Sequence, residues 1–326
     1  GNTTLGLDVN FQDGTLFVDH TNQRVGIGTN TPQKPLEVVG HSFFDGDVGI
    51  GTYTLSSKLE VVGNNAQVEI ATNDGYSIKS SQKAAIAVVG VGTISSKGSM
   101  MAGGSGHHIS GDYDTIAGGT INNISGGDFN FIGGGSQIDI TGSEYSSSIG
   151  GKNNDILNSN YSVIVGGQNN SIEGSFSNYI GGGENNLITG NNSFIGGGNT
   201  NKVLRDYSFV GAGEGNIASG DFSIIVGGEE NQTFGSYSVI AGGEGNTVSG
   251  LRSFIGGGSY SEVNSDYSYA FGRKAKITSS QSGAAVFADG NNIDTLSSGA
   301  HTATLNFENG VYVQTTSGLY VNGNPV

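Results

Sequence analysis

The 326-residue chain contains no cysteine and no tryptophan, and only 3 prolines. Without thiols, disulfides, thiolate nucleophiles and thiolate metal sites are excluded together. Charge is scarce and one-sided: 13% of residues are charged, with 28 acidic against 13 basic and a formal net charge of −15. That sign repels a phosphate backbone, so nucleic acid is not an expected partner. No apolar run approaches the ~20 residues of a membrane-crossing helix, so membrane insertion is not expected. The first residues, GNTTLGLDVNFQDG, carry neither a basic stretch nor an apolar core; as the first of them is not Met, targeting cannot be read from them.

What the chain has is glycine, 59 residues of it, and a repeat. Such Gly and Asn content would suggest disorder if it were aperiodic, but here it is phased with aliphatic residues, which argues for an ordered, turn-dense β architecture. Residues 98–276 repeat about every fifteen positions, as in YSVIVGGQNNSIEG at 161–174, FSIIVGGEENQTFG from Phe222 and YSVIAGGEGNTVSG from Tyr237. So short a period predicts a β-solenoid, one coil stacking on the next. The register can be followed on Ser99, Asp114, Asn130, Ser146, Ser162, Ser177, Ser193, Ser208, Ser223, Ser238, Ser253 and Ser268, spaced by 15 or 16 residues.

Two residues beyond lies an apolar ladder: Met101, Ile116, Ile132, Ile164, Tyr179, Ile195, Val210, Ile225, Ile240 and Ile255, interrupted by Ser148 and ending at Ala270. A Gly pair follows, as at Gly166 and Gly167 or Gly227 and Gly228, implying positive φ or close backbone approach. Asn154, Asn170, Asn185, Asn201, Asn216, Asn231 and Asn246 then form an Asn ladder at a second corner, a residue type that tolerates left-handed φ and bonds from coil to coil. Ile124, Ile140, Ile156, Ile172, Leu187, Val203, Val248 and Val263 mark a second short strand. Twelve coils at ~4.8 Å would rise roughly 58 Å.

The first strand is often apolar on both sides, as in Val163, Ile164 and Val165, or Ile224, Ile225 and Val226. Continuous runs of this kind belong to strands buried on both faces. One coil buries only one face, and no helix-forming segment is available to cover the other. Self-association is therefore expected.

Four regions follow: 1–63, 64–97, 98–276 and 277–326. The first holds two related units, VGIGTNTPQKPLEVVG from Val25 and VGIGTYTLSSKLEVVG from Val48, read as short strands joined by tight loops. The second reads as connecting strands, the third as the repeat rod. The last, with GAAVFADG from Gly283, HTATLNFENGVYVQ from His301 and GLYVNGNPV from Gly318, reads as a β cap over the exposed strand edges.

The stretches at 162–166, 223–227 and 238–242 resemble the Ser-Val-Ala-Ile-Gly repeats in the heads of trimeric, YadA-like autotransporter adhesins. The resemblance covers over half the chain and implies a left-handed parallel β-roll in which three chains pack around one axis. The flanking GIGT and KLEVVG units, with the closing GVYV and GLYVNGNPV, are similar to segments of bacteriophage tail fibres. The chain departs from the adhesins in showing no sustained heptad or anchoring segment, and from phage fibres in showing no endosialidase-type chaperone domain. Together the resemblances imply an all-β, homotrimeric, extracellular fibre protein of a phage tail, joined to other virion tail proteins and attaching to host surface glycan or protein. The alternatives are a bacterial cell-surface adhesin or a polysaccharide-degrading tailspike.

No residue is assigned a catalytic or cofactor-binding role. Glu214, Glu229 and Glu244 share one coil position, which would stack their carboxylates about 5 Å apart as a candidate cation or sugar-binding ridge. In water such repulsion is only about 0.9 kcal/mol per pair, so exposed carboxylates tolerate the spacing without a bound ion. A glycosidase needs two such acids in unlike environments, and nothing gives one of these an apolar pocket. His107 and His108 are adjacent, so on a strand they would face opposite sides and not chelate together. The aromatic set Tyr113, Phe129, Tyr145, Tyr161, Phe176, Tyr207, Phe222, Tyr237 and Tyr267 falls at one corner and would staple coil to coil, or contact a sugar receptor.

Overall fold

The computed structural model describes residues 9–11, 16–39, 48–50, 59–61, 86–87, 92–311, 320–321 and 324–325. Among the described residues there is no helix. The chain divides into two compact units, Gly1–Ser77 and Ile78–Val326.

In the first unit, Val9–Phe11, Leu16–Asp19 and Arg24–Ile27 pair antiparallel, and Arg24–Ile27 then pairs parallel with Leu36–Val38. Val25 stands opposite Leu36, and Val48 opposite Leu59 in the parallel pair Val48–Ile50 with Leu59–Val61. In both GIGT…LEVVG units the first strand thus pairs parallel with the second.

The second unit is a parallel β-solenoid of about 15 turns. Its first sheet has 15 strands, from Ile86–Ala87 to Ala303–Asn306, and its second has 14, from Gly92–Ile94 to Thr295–Leu296. A third ladder of single bridges connects Ser105 through Gln168, Glu184, Glu214 and Glu229 to Ser259, so over that stretch each coil touches the next in three places. The stack passes both ends of the predicted 98–276 rod: parallel pairs continue from Ala270 to Val286 to Thr304. Residues 285–306, within the region read as a β cap, continue the parallel pairing of the stack.

The core is two facing single files. Ile116, Ile132, Ile164, Ile180, Ile195, Val210, Ile225, Ile240 and Ile255 come from the first sheet, and Ile124, Ile140, Ile156, Ile172, Ile188, Val203 and Val248 from the second, all at 0% exposure. Burying each contributes about 1.5–3 kcal/mol relative to leaving it in water.

Five positions of one coil correct the predicted register. Ile180, not Tyr179, follows Ile164 in the inner file, and Ile188, not Leu187, follows Ile172. The polar register position there is Asn178 rather than Ser177, and the buried Asn is Asn186 rather than Asn185. Phe176 likewise stands one place before the aromatic corner, bridged to Asn160. The cause is a change of coil length. Coils from Asp114 to Asn178 carry an extra left-handed residue after the second strand, at Gly126, Gly142, Asn158 and Gly174; from Gly142 on, its N–H bonds the previous coil, as Gly174 does to Leu157 at 2.9 Å. From Asn178 to Ser268 the coils lack it and run at fifteen.

Each coil turns on left-handed residues at two corners. At one, Tyr113, Phe129, Tyr145, Tyr161, Tyr207, Phe222, Tyr237 and Tyr267 have φ between 54° and 61°. At the other, Asn153, Asn169, Asn185, Thr200 and Glu230 have φ between 52° and 58°. Left-handed φ turns the amide round, so Tyr161 donates back to Glu144 (2.9 Å) and Glu230 back to Glu214 (2.9 Å), while strand amides donate forward. The predicted Asn corner therefore splits in two. The first residue takes the strained φ, and the next, Asn154, Asn170, Asn186 or Asn201, puts its amide into the interior. Asn170 Nδ2 donates to the carbonyls of Gly166 and Gly183, both at 3.0 Å. Gly167 (φ 88°) sits where this amide passes: a Cβ there would stand 2.1 Å from the Gly183 oxygen and 2.7 Å from Asn170 Nδ2.

Candidate functional site

With the interior filled by structural side chains, functional contacts must come from the outward columns. On the first sheet that column reads Thr115, Phe131, Ser147, Val163, Tyr179, Phe194, Phe209, Ile224, Val239, Phe254 and Tyr269. All but Thr115 and Ser147 are apolar or aromatic. Tyr179, Phe194 and Phe209 stack with ring centroids 5.0 and 5.2 Å apart. Beside them Ile149 and Val226 are more than half exposed, at 51% and 53%. The both-face burial implied by the apolar runs is not met within one chain. The uninterrupted apolar strip from Val163 to Tyr269 is what interaction surfaces look like.

The second sheet presents the opposite character. Its outward column is Asn123, Asp139, Asp155, Ser171, Leu187, Lys202, Ile217, Gln232, Thr247, Glu262 and Lys276, in which only Leu187 and Ile217 are apolar. A shallow groove of about 460 Å³ lies over Asn123, Asp139 and Asp155, edged by Ile121 and Gln137. Half-burial pushes the Asp155 carboxyl up to about 6, and the charges of Asp139 and Glu173 add to the effect. Asp139 is held by Asn123 Nδ2 at 2.9 Å.

The Glu column is in register as expected: Glu214, Glu229 and Glu244 occupy successive parallel bridges, continuing Gln168, Glu184 and Asn199. All three are exposed, and the Glu244 carboxylate accepts the Tyr260 hydroxyl. Among the described residues, no three His, Asp or Glu side chains form a set that could hold a metal.

The aromatic corner forms coplanar stacks: Tyr113, Phe129, Tyr145 and Tyr161 at 5.0, 4.9 and 5.2 Å, and Tyr207, Phe222 and Tyr237 at 4.7 and 4.8 Å. Each internal ring has both faces covered by its neighbours, so only ring edges and hydroxyls face solvent. A sugar could lie flat only on the terminal rings, which favours the stapling role. Arg252 takes the ring position beyond Tyr237, its guanidinium 5.3 Å from the Tyr237 ring and 5.8 Å from that of Tyr267.

His107 is buried and inward, accepting the Asn122 N–H on Nδ1 at 3.1 Å, whereas His108 is on the outward face. The pair does not share a site. Sequence reasoning missed the chemistry of Asp114 and Asp155. The signal for Asp114 was available, as an acid in a column otherwise filled by Ser and Asn.

These features define a parallel β-solenoid protein with one apolar outer wall and one polar outer wall. No family model matches the chain, and no curated protein matches it.

Proposed function

We propose that the chain is a structural subunit of a bacteriophage tail fibre that assembles as a homotrimer through the outward face of its first sheet. The observation that carries this reading is the apolar column from Val163 to Tyr269, set against the polar outward column of the second sheet. Three copies turned about a common axis would cover one such wall each. A wall of nearly uniform chemistry along the whole stack suits a partner equally long and equally periodic, which a second copy of the chain supplies. The sequence similarity of the GIGT…LEVVG units to tail-fibre segments supports the phage assignment over a cellular adhesin. Function is then mechanical: the rod sets reach, and several copies turn weak contacts with host glycan or protein into firm attachment through effective concentration.

Sedimentation velocity tests the assembly. A mass near three chains with high friction is expected, and Phe209→Glu, which places a charge in the middle of the wall, should shift the protein toward single chains. A compact single chain for the wild type would overturn the proposal. Gold-labelled antibody then separates settings, by decorating virion tails or bacterial envelopes.

A further inference from the structure

The polar column beside the first sheet shares one pattern. At Ser99, Asn130, Ser146, Ser193, Ser208, Ser238, Ser253 and Ser268 the side chain accepts the main-chain N–H of its counterpart in the next coil and donates to a main-chain carbonyl near it, whereas Ser162, Asn178 and Ser223 donate elsewhere. Ser99 Oγ donates to Gly111 O (3.1 Å), Asn130 Nδ2 to Ser143 O (2.6 Å), Ser146 to Ser159 O (2.7 Å), Ser208 to Gly220 O (2.8 Å) and Ser253 to Ser265 O (2.8 Å). Asp114 occupies this column at 0% exposure. Its Oδ1 performs the accepting half, taking the Asn130 N–H at 2.7 Å. Its Oδ2 is buried with no partner. That oxygen and the Gly127 carbonyl oxygen lie 2.4 and 1.8 Å from the point a Cβ on Gly111 would occupy, so both border the gap the glycine leaves. Two bare acceptors in that position would repel; a proton on Oδ2 turns the contact into the same donation that Ser and Asn make.

We propose that Asp114 is a protonated carboxylic acid in the folded rod, its Oδ2–H donating to Gly127 O, and that losing this proton as pH rises loosens the coils around it. The surroundings agree. Burial pushes this carboxyl up to about 6, and the charges of Asp128 and Asp112 work in the same direction against the hydrogen bonds from Asn130. The charged and titratable groups on the packed segments are Lys97 in the preceding coil, which reaches Asp112 at 3.9 Å, Asp112 in its own, Asp128 in the next, and His107 and His108 on the opposite wall. A carboxyl whose folded value lies above its unfolded 3.8 stabilises fully below that value and loses its contribution as pH climbs through about 6.

The test is hydrogen exchange on the intact protein, comparing wild type with Asp114→Asn over about pH 4 to 8, since the ratio of the two at each pH cancels intrinsic exchange. Asn130 shows that the column accepts an amide, and Asp114→Ser, which copies the residue type of Ser99 and Ser146, is the second variant. In coils 99–130 the wild-type opening equilibrium should rise relative to both variants by up to about a hundredfold as pH climbs, with a midpoint near the raised value. An infrared carbonyl band of a protonated acid, present at low pH and absent from both variants, should disappear over the same range. A ratio that stays flat or falls with pH, or no such band, would overturn the proposal.

Discussion

Asn170 and Asn186 are joined twice across neighbouring coils: Asn170 Oδ1 accepts the main-chain N–H of Asn186 at 3.1 Å and its side-chain amide at 3.0 Å. The same side chain donates to two glycine carbonyls, so one amide both closes its own corner and fastens the next. Asn170→Ala leaves those groups buried without partners and should cost about 2–4 kcal/mol. Urea denaturation measures the loss, and hydrogen exchange should place it in the coils on either side. Asn170→Asp keeps the acceptor but not the donors, and should also destabilise.

Thr233 stands between Ala218 and Val248 in the inner file of the second sheet, at 0% exposure, and its hydroxyl has no partner. Thr233→Val fills the same space without an orphan polar atom and should stabilise by about 1 kcal/mol. A higher melting temperature is the expected result; a lower one would mean that the hydroxyl is satisfied.

Asp155 gives a pH dependence of known sign. Burial, Asp139 and Glu173 raise its carboxyl to about 6, above the ordinary 3.8, so its contribution is greatest in acid and declines as pH rises through about 6. Asp155→Asn should raise the melting temperature at about pH 8 and leave it nearly unchanged at about pH 4. Equal shifts at both would show that the carboxyl ionises normally.

Arg252 has φ 51° and donates from Nη1 to the Tyr267 hydroxyl at 2.9 Å, so it joins two rings that do not themselves stack. Arg252→Ala should cost about 0.5–1 kcal/mol, and Arg252→Val more, because a β-branched residue resists left-handed φ. Arg252→Tyr should preserve stability by completing the column. Thermal melts of the three variants provide the ranking.

The inner files were legible because an aliphatic at Ile164, Ile195, Val210, Ile225, Ile240 or Ile255 can only be explained by stacking. Legibility failed where the coil shortens. There Ser177 and Asn178, and Asn185 and Asn186, offer a small polar residue at each candidate register, and composition alone does not choose between them. The choice is made by hydrogen bonding: Asn178 donates its main-chain N–H to Ser162 Oγ at 3.3 Å and Asn186 to Asn170 Oδ1. Nor could spacing show that Asn185 keeps a ladder of its own, its Oδ1 accepting from Asn169 at 3.1 Å on the outer surface. The outward apolar wall was half legible: the runs around Val163 and Ile224 announced it, but which sheet carried it depended on the pairing. Asp114 was legible only as an acid out of place in a Ser and Asn column, and Asp155 not at all, since the burial and neighbouring charge that raise them follow from stacking rather than from local sequence.

From Ser193 to Ser268 every coil is fifteen residues long and offers its neighbours the same polar and apolar contacts. Removing or duplicating fifteen codons anywhere in that stretch rejoins residues that already fit one another. A gene with this design can alter the length of its product in whole steps of about 4.8 Å, with no new interface to invent at the joint. Length becomes a trait inherited in integers, adjustable by unequal recombination between near-identical segments.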